Sequence, residues 1–159
     1  MSNIAIWESA LGTSPANWQA AFGTEINSLA AGSVAVSSVI LSNTTNLLTD
    51  AWISLALGSV ATGTGTPNLA FYLLPLNQDG TTYGDGTVSG TVLPGAQYYI
   101  GSVDWAASLA AAVQTGSFKV SMEMPPTNFK LAVVNNIGNA LAASGNTIAL
   151  AFNALNLNG

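Results

Sequence analysis

The sequence contains no cysteine, no histidine and no arginine, and it has only two lysines. Without cysteine there is no disulfide framework, no thiolate metal site and no iron–sulfur cluster. Without histidine, the Ser/His/Asp triad, the Cys/His pair and His-based zinc or haem sites are excluded, which leaves only carboxylates for acid–base chemistry. Because Lys119 and Lys130 are too few to neutralise a phosphate backbone, direct binding of DNA or RNA is excluded as well.

Charge of either sign is scarce. Seven acidic residues and two lysines give a net charge of −5, and only 6% of the residues are charged, against about 25% in an average domain. Since 49% of the residues are hydrophobic and 8% are aromatic, the 159 residues are predicted to fold around a core as about one domain. Interface cores are depleted in charge, so part of this neutral surface is predicted to be covered, with further copies of the chain as one such partner.

Long hydrophobic runs are also missing. The best candidate, residues 29–41, is interrupted by Gly32, Ser33, Ser37 and Ser38, whereas a membrane-spanning helix needs about 20 apolar residues in succession. No basic residue precedes an apolar run at the N-terminus, so a secretory signal peptide is not expected. The sequence therefore predicts a protein that is made in the cytoplasm and does not bind a membrane.

The N-terminal part of the chain carries a helix-like pattern. Ser14 and Pro15 form a helix-start signal, and the apolar residues that follow are spaced by four, four and three positions, which predicts a helix over residues 15–30. Residues 1–31 are interpreted as an N-terminal arm or short helix that reaches a neighbouring subunit. The candidate assembly residues on this arm are Trp7, Trp18, Phe22 and Ile26.

From residue 32 to residue 159 the pattern changes to short β-type runs separated by Gly, Pro, Asn, Asp and Thr. The predicted strands are 34–41, with a slip in alternation near Ser37 and Ser38, then 51–57, 68–74, 98–103, 118–124, 129–134 and 147–155, with 87–93 as a candidate eighth. Residues 106–113, rich in Ala and Leu, are an alternative helical turn or two. Many short strands with such spacing predict an all-β fold, an antiparallel β-sandwich, jelly-roll-like, with seven to eight strands.

One loop has the residues of a candidate ligand site. Residues 79–86 hold Asp79, Tyr83 and Asp85 together with three glycines. A calcium loop, a sugar-stacking site built on Tyr83 and a pair of catalytic carboxylates are the functional alternatives. Asp-Gly repeated twice is first of all a turn signal, so a structural loop is the favoured interpretation, and no cofactor or metal is expected.

Three segments are similar to a family of small virion proteins of tailed bacteriophages. They are residues 72–86 (YLLPLNQDGTTYGDG), 93–101 (LPGAQYYIG) and 125–136 (PPTNFKLAVVNN), the last of which continues through the block ALAASGNT at 140–147. Their order and spacing agree with the family over about residues 25–150. The near absence of Arg and Lys departs from the family's usual pattern.

The resemblance implies a jelly-roll-like structural protein of the phage particle, a capsid decoration or cement protein, with no catalytic residue to carry over. Its expected partners are the major capsid protein or other virion proteins and copies of itself, with a trimer favoured. The alternative is a host-recognition module on the head or tail whose loop residues Asp79, Tyr83 and Asp85 bind cell-surface glycan. Both interpretations describe a protein that is not an enzyme.

Overall fold

A computed structural model describes residues 4–8, 18–44, 49–86 and 88–158, which form ten β-strands in two antiparallel sheets. Side chains are described for residues 18–44, 49–86 and 88–152. The strands are β1 (Ile4–Glu8), β2 (Gln19–Ala20), β3 (Val34–Val36), β4 (Leu41–Ser42), β5 (Asp50–Val60), β6 (Asn68–Pro75), β7 (Tyr99–Asp104), β8 (Ala112–Lys119), β9 (Asn128–Asn135) and β10 (Thr147–Asn158). A 3-10 turn at Ala96–Tyr98 precedes β7.

The strand order is that of a jelly roll. The first sheet has the order β1–β10–β5–β8, with β2 also paired to β10, and the second has the order β3–β9–β6–β7, with β4 also paired to β9. β1 and β2 share one edge of β10, and β3 and β4 share one edge of β9, so ten strands fill eight positions. Numbered along the chain, these positions run 1–8–3–6 in one sheet and 2–7–4–5 in the other, the arrangement of two interlocked Greek keys. The predicted antiparallel sandwich is confirmed.

The core lies between the two sheets and follows from strict alternation along the strands. In β5, Ile53, Leu55 and Leu57 are buried and point inward, while the residues between them are half-buried on the outer face. The slip predicted near Ser37 and Ser38 is real, because the first long run divides into β3 and β4 there. The largest fully buried side chains include Phe71, Phe129, Leu69, Leu131, Ile100 and Ile148.

The predicted helix over residues 15–30 is wrong for the residues that the structure describes. Residues 15–17 lie outside them, Gln19–Ala20 forms β2, and residues 25–28 form a turn in which Ser28 has a positive φ of 56°. The apolar stripe is nevertheless buried: Phe22 and Ile26 belong to the core, and Leu29 packs against it. The apolar residues with helix-like spacing therefore lie on an irregular segment, and their side chains pack in the core of the sandwich.

Hydrogen bonds tie this N-terminal segment to the sandwich. The backbone N–H of Ala21 donates to the Ile148 carbonyl at 2.9 Å, and the Ser37 hydroxyl donates to the Ala21 carbonyl at 2.5 Å. Further along, the Leu141 N–H donates to the Leu29 carbonyl at 3.0 Å. Together with β1, which pairs along the end of β10, these bonds make the described N-terminal residues part of the first sheet's edge and of the core.

The strand predicted at 118–124 lies earlier in the chain. Residues 112–119 form β8, so the helical alternative for residues 106–113 is also wrong, and Ser108 occupies a turn with φ of 59°. The predicted alternation over 118–124 is still present in the burial. Val120 and Met124 are buried, Phe118 and Met122 are half-buried, and Lys119, Ser121 and Glu123 are exposed.

Within the described part of the chain, no helix has the length and hydrophobicity needed to cross a membrane.

Candidate functional site

Asp79 lies exposed on the loop that follows β6, and both of its carboxylate oxygens accept hydrogen bonds from residues of the same turn. Its Oδ1 accepts hydrogen bonds from the backbone N–H groups of Thr81 and Thr82, both at 2.9 Å, and its Oδ2 accepts one from the Thr82 hydroxyl at 2.5 Å. The Thr82 hydroxyl and these N–H groups stabilise the charged carboxylate and lower the pKa of Asp79 to about 2. A carboxyl with so low a pKa is ionised near neutral pH and does not serve as a catalytic acid there.

Tyr83 anchors the same loop to the second sheet. It is half-buried, forms an isolated antiparallel bridge with Leu76, and has the Lys130 ammonium 5.0 Å from its ring centroid. A cation at that distance from the ring makes a cation–π contact and occupies one ring face. The ring also packs on a small apolar cluster on the outer face of the second sheet, made of Val34, Ala70, Leu74, Ala132 and Val134.

Neither carboxylate of the loop lines the cavity beside it. Asp85 is exposed between Gly84 and Gly86, which have φ of 59° and 72°. A cavity of about 170 Å³ beside Tyr83 is lined by Thr82, Tyr83 and Lys130 among others, but by neither Asp79 nor Asp85. Among the residues described, no three His, Cys, Asp or Glu side chains come together as a group able to hold a metal ion.

The connection between β6 and β7 covers the outer face of the second sheet. The Val34 N–H donates to the Gly90 carbonyl at 2.6 Å, which holds the connection against β3. Of the predicted strand 87–93, Ser89, Gly90 and Val92 form isolated bridges, and Thr87 lies outside the described residues. Because the connection packs on this face, most residues of β6 and β9 are buried whichever face they point to, and both sequences are mostly apolar between their ends, with the charged Lys130 as the exception.

The outer face of the first sheet carries an open groove of about 450 Å³. The strand register determines which side chains form the bottom of this groove. In one row, Ser54 of β5 lies between Ser117 of β8 and Ala149 of β10. In the next outward-facing row, Ala56 lies between Thr115 and Thr147. Trp18, just before β2, is half-buried and lines the groove with these residues. We call this surface, defined by Trp18, Ser54, Ala56, Thr115, Ser117, Thr147 and Ala149, the outer groove.

The outer groove is uncharged and combines hydroxyl groups with apolar surface. The Thr147 hydroxyl donates to the Ala56 carbonyl at 3.4 Å, whereas the hydroxyls of Ser54, Thr115 and Ser117 have no hydrogen-bond partner within the described residues. The nearest charges along these strands are Lys119 and Asp50, which pair with each other at 3.1 Å. The surface therefore offers hydroxyl donors and acceptors and one indole ring, with no net charge.

The four residues predicted to form an assembly arm have separate positions. Phe22 and Ile26 are 6% and 0% exposed and belong to the core, so they are not available to a neighbouring subunit in this fold. Of the three whose side chains are described, Trp18 reaches a surface, at the outer groove. Trp7 lies in β1 opposite Leu155, and its side chain is outside the described residues.

Sequence reasoning missed the outer groove although its signal was present. In residues 52–56, Ser54 and Ala56 alternate with the buried apolar residues, and small residues at outward positions predict an open sheet face. Residues 115–119 and 147–149 carry the same kind of pattern, but only the register of β5, β8 and β10 places the three sets side by side. No protein-family model, curated protein or solved structure matches this chain.

Proposed function

We propose that this chain is a non-enzymatic structural protein of a tailed-bacteriophage particle, a decoration or cement protein that docks on the head lattice through the outer groove. The observation that carries the proposal is an uncharged, hydroxyl-bearing sheet face that none of the described residues covers, on a jelly roll whose other sheet is covered by its own chain. The similarity of residues 72–86, 93–101 and 125–136 to phage virion proteins supplies the biological setting.

The chemistry of the outer groove suits a tightly fitting protein interface. Small side chains such as Ser54 and Ala149 let a partner's backbone approach the sheet closely, and the unpartnered hydroxyls of Thr115 and Ser117 are available to its peptide groups. Interface cores are poor in charge, which is the composition found here. Docking of this kind depends on shape and on hydrogen bonds, so salt has little to screen.

The proposal is tested by measuring the affinity of this chain for purified phage heads that lack it. We expect the affinity of the natural chain to change less than about threefold between about 0.1 M and 1 M salt, over which the Debye length falls from about 10 Å to about 3 Å. Ser54→Glu places an unpaired charge in the outer groove and is expected to weaken docking at least tenfold, or about 1.4 kcal/mol. Ser89→Glu, exposed on the connection that covers the second sheet, is the matched control and retains full affinity.

Two results would contradict this assignment. Loss of docking at high salt would show that charge, and not the neutral groove, holds the complex. Docking of Ser54→Glu with the affinity of the natural chain would place the contact on another surface. Electron microscopy of the intact particle then locates the chain directly, and density on the neck or tail in place of the head lattice would reject the decoration role.

The second candidate function is a host-glycan recognition module. The outer groove suits glycan binding better than the loop at residues 79–86 does. Aromatic rings and hydroxyls are the groups that bind neutral sugars, and the groove joins Trp18 to three unpartnered hydroxyls, while the Tyr83 ring is already occupied by Lys130. On a glycan array this candidate predicts a signal that Trp18→Ala abolishes and Tyr83→Ala preserves. An array without signal for the natural chain rejects it.

A further inference from the structure

The two sheets have four edges, and β8 differs from the other three. The edge formed by β1 and β2 is interrupted between Glu8 and Gln19, and the edge formed by β3 and β4 consists of strands of three and two residues. β7 is six residues long, ends in Asp104, and has an irregular register beside β6. β8 runs unbroken for eight residues and is paired only with β5 among the strands described.

β8 also lacks the residues that normally protect an edge. Natural sheet edges are blunted by proline, by charge, by short strands or by bulges, because unpaired N–H and C=O groups otherwise recruit another strand. The sequence of β8, AVQTGSFK, has no proline, and its single charge is Lys119 at the last position. The register irregularity between β5 and β8 falls at Leu57 and Ser59, on β5. Val113 is 67% exposed on β8, which leaves an apolar side chain in water.

We propose that β8 pairs antiparallel with β8 of a second copy of this chain across a two-fold axis at Thr115. Residues opposite each other in an antiparallel pair point to the same face, so the two first sheets become one continuous sheet and the two outer grooves lie on the same side of it. Such an isologous contact needs only one self-complementary strand. The proposal does not depend on the phage assignment.

Side-chain size selects this register. With the axis at Thr115, the inward pairs are Phe118 opposite Ala112 and Gln114 opposite Gly116, so each large side chain meets a small one. On the outer face, Val113 lies opposite Ser117, and Thr115 meets its own copy, a favourable cross-strand pair. With the axis at Gly116 instead, Gln114 and Phe118 would be opposed.

Charge is compatible with this register. With the axis at Thr115, Lys119 lies opposite Ala111, a small neutral residue, and its own copy is at the far end of the paired strands. The only charge on β8 therefore never meets itself. A second copy is thus accommodated without the like-charge opposition that disfavours strand pairing.

Solution mass is the first test. The natural chain is expected to have about twice the 16.1 kDa of a single chain, and Thr115→Lys, which puts two ammonium groups opposite each other at the axis, is expected to be a monomer at the same concentration. Gln19→Lys adds the same charge on exposed β2 at the opposite edge of the sheet and should leave the dimer intact. A natural chain that is a monomer or a trimer at about 100 μM, or a dimeric Thr115→Lys, would overturn the proposal.

Because the chain has no cysteine, the register can be tested by single cysteines. Directly opposed residues have Cα atoms about 4.5 to 5.5 Å apart, within disulfide range, so Thr115→Cys is expected to form a covalent dimer under mild oxidation. Val113→Cys is the matched control, because the two copies of residue 113 are four residues apart along the paired strands, about 13 Å. Equal cross-linking of both variants, or none with Thr115→Cys, would reject the pairing. Solution mass measured on Ser54→Glu keeps this outcome separate from the proposed function, because Ser54 lies on β5, away from the paired edge, so this variant is expected to lose docking and remain a dimer.

Discussion

Replacing Asn135 with alanine is expected to lower the free energy of unfolding by about 3 kcal/mol or more. Asn135 ends β9 and is 0% exposed. Its Nδ2 donates to the Leu29 carbonyl at 2.8 Å and to the Asn139 carbonyl at 2.9 Å, while its Oδ1 accepts from the Ile137 N–H at 3.0 Å. Truncation leaves these three backbone groups without their partner, and each such group costs about 1–3 kcal/mol when it stays buried.

Asn136→Ala is the matched control for this effect. Asn136 is exposed, and its side chain donates only to the Asn68 side chain, at 3.1 Å, so the loss of this side chain is expected to cost less than about 0.5 kcal/mol. Denaturant unfolding of the two variants measures the difference. Since about 1 kcal/mol shifts the melting temperature by about 2–4 °C in a chain of this size, Asn135→Ala should melt roughly 6–12 °C lower. Equal stability of the two variants would show that the Asn135 contacts do not anchor the N-terminal segment.

Replacing Ile26 with alanine is expected to destabilise the fold by about 2–5 kcal/mol. Ile26 is 0% exposed and packs in the main core, although it lies in an irregular turn outside every strand. Its truncation removes apolar contacts and leaves a cavity between the sheets, and the hydrogen bonds that hold the segment limit how far it can collapse into that space.

Ile40→Ala provides the comparison, because Ile40 is 54% exposed and its loss should change stability by less than about 0.5 kcal/mol. Both variants are measured by denaturant unfolding. If Ile26→Ala were as stable as Ile40→Ala, the N-terminal segment would be a detachable arm, as the sequence pattern indicates. The structure instead predicts that deletion of residues 1–29 unfolds the domain, so a loss of docking in that deletion would not identify an assembly arm.

The strands were predictable because alternation is a local signal. In β5 every second residue is buried, and this period of two is legible in the sequence from Trp52 to Leu57 without knowledge of any neighbour. The same holds for the division of β3 from β4, where two consecutive serines break the alternation. Composition likewise excluded histidine and cysteine chemistry with no reference to the fold.

The helix was mispredicted because spacing alone does not distinguish a helical stripe from an irregular segment with the same buried residues. Phe22 and Ile26 are four positions apart, as on a helix, but their partners are side chains of both sheets. The Ala21 N–H donates to the Ile148 carbonyl, and the Leu29 carbonyl accepts from the Leu141 N–H, in each case across more than a hundred residues of chain. Long-range bonds of this kind satisfy the backbone and override local propensity.

The candidate sites, like the strands and the helix, were predictable in part from the sequence and in part only from the structure. The sequence by itself determined that the protein is an all-β chain with little charge, and that Asp79 lies in a loop with strong turn signals. Only the tertiary structure decided that Asp79 accepts hydrogen bonds from its own turn, that Lys130 lies over the Tyr83 ring, and that no described residue covers the outer face of the first sheet. The reason is physical: strand alternation is set within a few residues, whereas a groove or an unprotected edge exists only where strands distant in the chain are brought into register.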